Sequence, residues 1–513
     1  MRLQSEMGGN ADLRIEAGNG ASFCPPSRRR FVLIAAILAS ALGFIDGSVV
    51  SIAIPAIRTD LGASFTEAQW IANGYALTLS ALILVGGAAG DRFGLRHTFI
   101  SGIALFIATS LACALAPDPT SLVLSRAVQG VGAAIMVPCS LAIIAKAYPK
   151  KERGRAIGIW AAASALTTAL GPVLGGLMLA SFDAWVWRMI FALNLPLGAI
   201  ALYLLIIKVP ADAPAGKRAL DAGGAALATL AFGALAYALT AMSGDTARGA
   251  IDASLFAGVA LLAVFVWWEL RHREPMLDLA LFRNRGFAGA NLATFLLYFA
   301  LSANLFYLPM LLIAGWGVSA GEVGFIFLPL SVCIALLSGA TGRLSDRIGP
   351  RLPLAAGSLV VALAFASLAL LTHAGVHRFW TGIFPSMVVM GFGMALVVSP
   401  LSTAVMTAVD DKDTGAASGI NNAVSRIAGL VAVAAMGAVA AWVYARGQGM
   451  AEGSGIPGFG EPATAGLAPG LDAARIRASD AAFAAVAFVT ALLCVLSAIT
   501  AWASVPGSGA SEP

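Results

Sequence analysis

The chain has 513 residues, 59% of them apolar and only 12% charged, and its mean hydropathy is +0.85. So little charge cannot cover a water-soluble surface of this size, which excludes cytosolic enzymes, secreted domains and nucleic-acid binders and points to a polytopic membrane protein. The net charge of +5 is divided among many short segments, and five cysteines without a CxxC pair offer no disulfide or metal framework.

Residues 1–30 are a polar, Gly-rich tail ending in Arg28-Arg29-Arg30. No small-residue cleavage site follows at the right distance, so the first apolar run reads as a spanning helix and not as a signal peptide. Spanning takes about 20 mostly apolar residues. On that measure the predicted spans are 31–56, 67–89, 98–116, 119–145, 155–180, 189–208, 222–243, 252–268, 287–313, 321–341, 353–372, 380–408, 415–443 and 481–504. The turn between 222–243 and 252–268 is short, so twelve spans is the alternative to fourteen. Either even number leaves both termini on one side.

Most of the 32 Lys and Arg residues fall in alternate connections, at 28–30, 92–96, 146–155, 208–218, 271–285, 343–351 and 412. The positive-inside bias then predicts cytoplasmic termini. The expected organisation is a cytoplasmic tail (1–30), a six-helix bundle (31–208), a linker with two extra spanning helices (209–286), a second six-helix bundle (287–504) and a cytoplasmic tail (505–513). The connection 444–480 is rich in Gly, Pro and Ala, and the expectation is a mobile external loop without a core.

One pattern occurs twice. Gly87-Ala88-Ala89-Gly90-Asp91-Arg92-Phe93-Gly94-Leu95-Arg96 joins spans 2 and 3, and Gly342-Arg343-Leu344-Ser345-Asp346-Arg347-Ile348-Gly349-Pro350-Arg351 joins spans 10 and 11. Gly, Asp, Arg, Gly and Arg recur at matching places in the two halves, with glycine suited to a sharp reversal and aspartate to a helix N-terminus or a neighbouring Arg. Two six-helix halves related as parallel repeats are the plan of a transporter with its substrate site near the midplane between them.

Further motifs follow the same order. Span 1 carries Ile45-Asp46-Gly47-Ser48-Val49-Val50-Ser51, span 4 Arg126-Ala127-Val128-Gln129-Gly130, span 5 Gly171-Pro172-Val173-Leu174-Gly175-Gly176, and span 6 begins Trp187-Arg188 and continues to Asn194-Leu195-Pro196. Together with the repeated loops, these resemble the major facilitator superfamily, and within it the fourteen-helix drug:proton antiporters, over nearly the whole chain. The resemblance implies an all-α fold of two six-helix bundles plus two extra helices, in a cell inner membrane. It implies a monomer exporting small hydrophobic drugs or antibiotics against inward protons, the only coupling species, with no other cofactor. An accessory protein for a second membrane remains compatible. The alternative is a proton-coupled carrier of one metabolite or natural product. No GxxxxGK[ST] motif supplies ATP as the energy source.

Charges at membrane depth are costly and mark function. Asp46 and Arg126 lie at similar estimated depths, as a proton-coupling site or as a fixed ion pair. Gln129, Asn421, Asn422 and Arg426 are candidate cavity or substrate-binding residues, with a cytoplasmic-side network as the other role for Arg426. The repeated loops are candidate gates. Gly171, Pro172, Gly175 and Gly176 read as a helix hinge or as close packing. Glu322 reads as a solvated cap more than as a second acidic site, and His373 and His377 fall in an external turn.

Overall fold

The computed structural model describes residues 23–507, except 213–219, 245, 411–412, 449–456 and 465–466, and leaves the side chains of 150, 151 and 165 undescribed. Both chain ends, Lys217, Arg218 and Lys412 therefore lie outside the described residues. Fourteen helices among the described residues are long and apolar enough to cross a membrane. They are α1 Pro26–Leu61, α2 Phe65–Phe93, α3 Leu95–Ala114, α4 Pro119–Ala147, α5 Glu152–Ser181, α6 Ala184–Lys208, α7 Ala222–Ala241, α8 Arg248–Arg271, α9 Arg285–Gly315, α10 Ala320–Ile348, α11 Arg351–His373, α12 Phe379–Thr407, α13 Thr414–Gly447 and α14 Pro469–Ser504. Fourteen spans, not twelve, is what the fold contains.

Local chemistry sets the helix starts. Ser64 and Glu67 form a capping box on α2, the Ser64 hydroxyl accepting from the Glu67 N–H at 3.2 Å and the Glu67 carboxylate from the Ser64 N–H at 2.9 Å. Asp118 and Ser121 do the same on α4, and Asn284 accepts from the Gly286 and Phe287 N–H groups on α9. Large apolar side chains left exposed recur at helical spacing, such as Leu166, Leu170, Leu174 and Leu177 on α5 and Leu492, Leu496 and Ile499 on α14. These stripes face where lipid would be.

Within the first half α2 packs on α4 and α1 on α5; within the second, α10 packs on α12 and α11 on α14. The halves meet through α1–α9, α2–α13 and α5–α10. The extra helix α7 lies against both α2 and α13, and α8 packs on α7. Away from the repeated loops, one apolar core joins the halves, bringing Ile54, Ile71 and Trp187 together with Phe306, Tyr307 and Phe483. At the repeated-loop end the first half has a second core built on Val32, Phe99, Ile143 and Leu205, to which α13 of the second half adds Ala423. The two halves are thus sealed at one end and separable at the other.

The connection from α13 to α14 corrects the expectation of a coreless mobile loop. Phe459 is 3% exposed and packs edge-on against Phe65 and Tyr444 at 5.7 and 5.9 Å. Arg58 at the end of α1 pairs with Glu461 and donates to the Phe459 carbonyl at 2.8 Å. Arg475 donates to the Ala314 and Glu461 carbonyls at 2.8 and 3.2 Å. One aromatic ring and two arginines give the described part of the segment an anchorage that its small-residue composition conceals.

Candidate functional site

Asp46 sits in mid-α1 with no exposed surface, and Arg126 of α4 is 2% exposed. Their side chains form an ion pair. The second Asp46 oxygen accepts from Gln129 Nε2 at 3.2 Å and Asn194 Nδ2 at 3.5 Å. Ser110 of α3 accepts from both amides, at 2.7 Å from Gln129 and 3.1 Å from Asn194. Arg126 also donates to Gln129 Oε1 at 2.6 Å and to the Ile71 carbonyl at 3.1 Å, and its guanidinium lies 4.3 Å from the Tyr75 ring centroid. Four further helices of the same half thus join a network around the α1 carboxylate, α4 and α6 directly and α2 and α3 through Arg126, Gln129 and Asn194. Such saturation is what a buried charge pair needs to offset its desolvation.

Arg126 lines a central cavity of about 500 Å³, but Asp46 does not. The guanidinium stands between the carboxylate and the space. The cavity lies between the halves, with Tyr75 and Ser48 on one side and Tyr298, Asn422 and Arg426 on the other. Beyond it, Gln69 and Tyr307 crowd against Gly437 of α13, and the Tyr307 hydroxyl donates to the Val433 carbonyl. A second space of about 580 Å³ opens by the repeated loop at Gly87 and Asp91, and Asn422 lines both spaces.

Two expected cavity residues lie elsewhere. Gln129 is fully buried inside the ion-pair network. Asn421 donates to Asn291 Oδ1 at 3.2 Å and Thr294 Oγ1 at 2.7 Å, tying α13 to α9 within its own half. Adjacent helical residues point about 100° apart, so only Asn422 of that pair can face the cavity.

In the repeated loops the glycines do what a reversal requires: Gly94 has φ 90° and Gly349 φ 81°. The aspartates do not engage a helix end or an Arg; Asp91 and Asp346 are exposed without a side-chain hydrogen bond among the described residues. Asp212, from the linker, takes that place. Its carboxylate accepts from the Leu95 and Arg96 N–H groups at 3.0 and 2.9 Å, at the N-terminus of α3, and from Lys146 Nζ at 2.7 Å. Burial pushes this carboxyl up, but the Lys146 bond and the two N–H donors outweigh it and hold it below the ordinary aspartate value. Arg96 caps the end of α6 through the Leu205 and Ile206 carbonyls, both at 2.8 Å, while Arg351 lies 4.2 Å from the Trp502 ring at the end of α14. Each copy of the repeat therefore fastens its half's third helix to its sixth. Gly87 and Gly342 lie in the helical turns leading in, and Arg92 and Arg347 are exposed.

The span 5 glycines are sites of close approach. A Cβ at Gly171 would lie 3.2 Å from Val49 of α1, one at Gly175 2.5 Å from the same side chain, and one at Gly176 would collide with the Ala320 carbonyl of α10. Reciprocally, a Cβ at Gly324 would lie 2.7 Å from the Pro172 carbonyl. Glu322 accepts from Ser319 Oγ at 3.0 Å and Trp380 Nε1 at 3.2 Å at the start of α10, and His377 lies 2.7 Å from Asp480.

Sequence reasoning missed Ser110 and Asp212, which carry no motif, and left Asn194 without a role although it closes the span 6 pattern.

Two halves of six helices around a charge-bearing central cavity define a secondary transporter, not an enzyme. Residues 36–433 match the Major Facilitator Superfamily, and the chain belongs to it. It is 35% identical over 417 residues to the multidrug resistance protein Stp of Mycobacterium tuberculosis, covering 80% of this chain and 76% of that protein. It is 30% identical over 433 residues to the tetracenomycin C resistance and export protein of Streptomyces glaucescens, covering 82% and 79%. In fold it is similar to a bacterial homologue of the human lysosomal transporter Spinster in an inward-facing, unoccupied conformation, with a TM-score of 0.67, 18% identity and coverage of 94% and 100%.

Proposed function

We propose that this multi-pass membrane transporter exports small hydrophobic drugs or antibiotics in exchange for inward-moving protons, by alternating access. The observation that carries the reading is the Asp46–Arg126 pair placed directly behind the central cavity. Protonation of Asp46 would release Arg126, and the freed guanidinium would change both the cavity wall and the α1–α4 contact. A site whose proton affinity differs between two access states is the requirement for coupling. The export direction is supported by the resistance and export relatives.

With the basic loops in the cytoplasm of a bacterial inner membrane, the sealed end faces outward and the protein is inward-facing. It works as a monomer on this reading, with an accessory protein needed only where a second membrane must be crossed. The test is proton movement in proteoliposomes bearing a pH gradient, with a panel of lipophilic compounds. Wild type should show compound-evoked proton flux, and Asp46→Asn none. Flux that persists in Asp46→Asn would remove Asp46 as the proton carrier, and no flux with any compound in folded wild type would sink the antiporter reading.

A further inference from the structure

We propose that Arg426 selects substrates bearing a negative charge, a carboxylate, sulfonate or enolate oxygen on an aromatic body. This rests on the reading of the central cavity as the substrate path. Charges at membrane depth are ordinarily paired, whether buried or, like Arg426, partly exposed to a cavity. Arg126 has Asp46, Arg58 has Glu461, and Arg475 has Asp472. Arg426 has no carboxylate among the described residues; its Nε donates to Asn422 Oδ1 at 3.1 Å, one turn earlier on the same helix. It stands about midway along α13, and its side chain lines the central cavity.

Among the described residues no Asp or Glu lines that cavity, and Asp46 is already neutralised behind Arg126. The acids by the repeated loop, Asp91, Asp221, Glu274, Asp278 and Asp413, line the neighbouring space, with Asn422 lining both spaces. The central cavity therefore holds one positive charge without a carboxylate partner among the described residues, in walls that mix apolar side chains with serine and threonine hydroxyls. Phe44, Phe306 and Phe327 line it, and Tyr75 and Tyr298 lie within electrostatic reach of Arg426.

An anion can take the free fork of the guanidinium in paired hydrogen bonds, strengthened by the low dielectric. A neutral aromatic would strip water from Arg426 and return at most a cation–π contact, weaker than a charge-assisted hydrogen bond, and a cation would meet repulsion. The flat walls suit aromatic rings whatever their charge, so the ring system supplies affinity and Arg426 supplies selection.

The experiment uses two probes that share a ring system, anilinonaphthalene sulfonate and neutral phenylnaphthylamine, with ethidium as the cation. Binding is measured on the purified full chain, and export on proteoliposomes, for wild type, Arg426→Gln and Arg426→Lys. Arg426→Gln removes an unpaired charge and should unfold no more easily than wild type. Wild type should bind the sulfonate about tenfold or more tighter than the neutral probe. Arg426→Gln should bring that ratio near unity with neutral binding kept, and Arg426→Lys should retain most of it. A ratio near unity in wild type, a ratio unmoved by Arg426→Gln, or a preference for ethidium would overturn the inference. Arg426-dependent sulfonate binding without export of any probe would sustain charge selection and defeat the exporter reading. Export of the neutral probe or ethidium, indifferent to Arg426, would do the reverse.

Discussion

Arg126 screens Asp46 from the central cavity: the carboxylate has no exposed surface, while the guanidinium paired with it forms part of the wall. On the proposed reading, a proton bound for Asp46 would displace this partner, so that binding the proton and loosening the α1–α4 contact would be one event.

That arrangement separates stability from coupling. Asp46→Asn strands Arg126 as a buried charge, at a cost of about 3–5 kcal/mol. The double change Asp46→Asn with Arg126→Gln removes both charges and should recover most of the lost thermal stability. Compound-evoked proton flux should stay absent in both variants. Thermal unfolding in detergent beside liposome flux measures the two quantities, and recovery of flux in the double variant would show the pair to be only a helix clamp.

The α5–α10 contact sets the closed end. Gly176 abuts the Ala320 carbonyl, and Gly324 abuts Pro172. Val at either glycine overpacks this seam by about 1–3 kcal/mol, enough to shift a two-state balance by about 5- to 150-fold. The expected result is a population open at that end, read as a longer spin-label distance between the ends of α5 and α10. An unchanged distance distribution would mean that the seam does not set the balance.

Hydropathy made the spans legible, because lipid demands about 20 apolar residues at a stretch, but the short turn before residue 252 left twelve open beside fourteen. The Asp46–Arg126 pair was legible too, because charges are rare at that depth. What stayed hidden were contacts between distant segments. Ser110 looks like any hydroxyl in an apolar helix, and Asp212 like any linker acid, until α4 brings Gln129 and Lys146 to them. Composition misled at Phe459, where one aromatic ring outweighs a run of small residues.

That ring anchors the segment around Phe459. Phe459→Ala deletes a buried aromatic and should cost about 3–5 kcal/mol in local docking. Amides near Phe459 and Glu461 should then exchange much faster, while those around Asp46 keep their protection. Equal loss of protection at both places would mean that the segment supports the whole bundle.

Asp212 yields a prediction in pH. Its carboxyl lies below the ordinary aspartate value of 3.8 because Lys146 and the α3 N–H groups favour the charged form over the cost of burial. A folded value below the unfolded one stabilises the protein fully above the unfolded value, and that stabilisation is lost as pH falls through the folded value. Asp212→Asn weakens the hold on α3 and removes the Lys146 pair, at about 2 kcal/mol near neutrality. The gap in thermal stability between wild type and Asp212→Asn should stay level from neutral pH down to roughly pH 4 and close below it. Unfolding curves across that range test this. A gap already closing near pH 6 would assign the stabilisation to a different group.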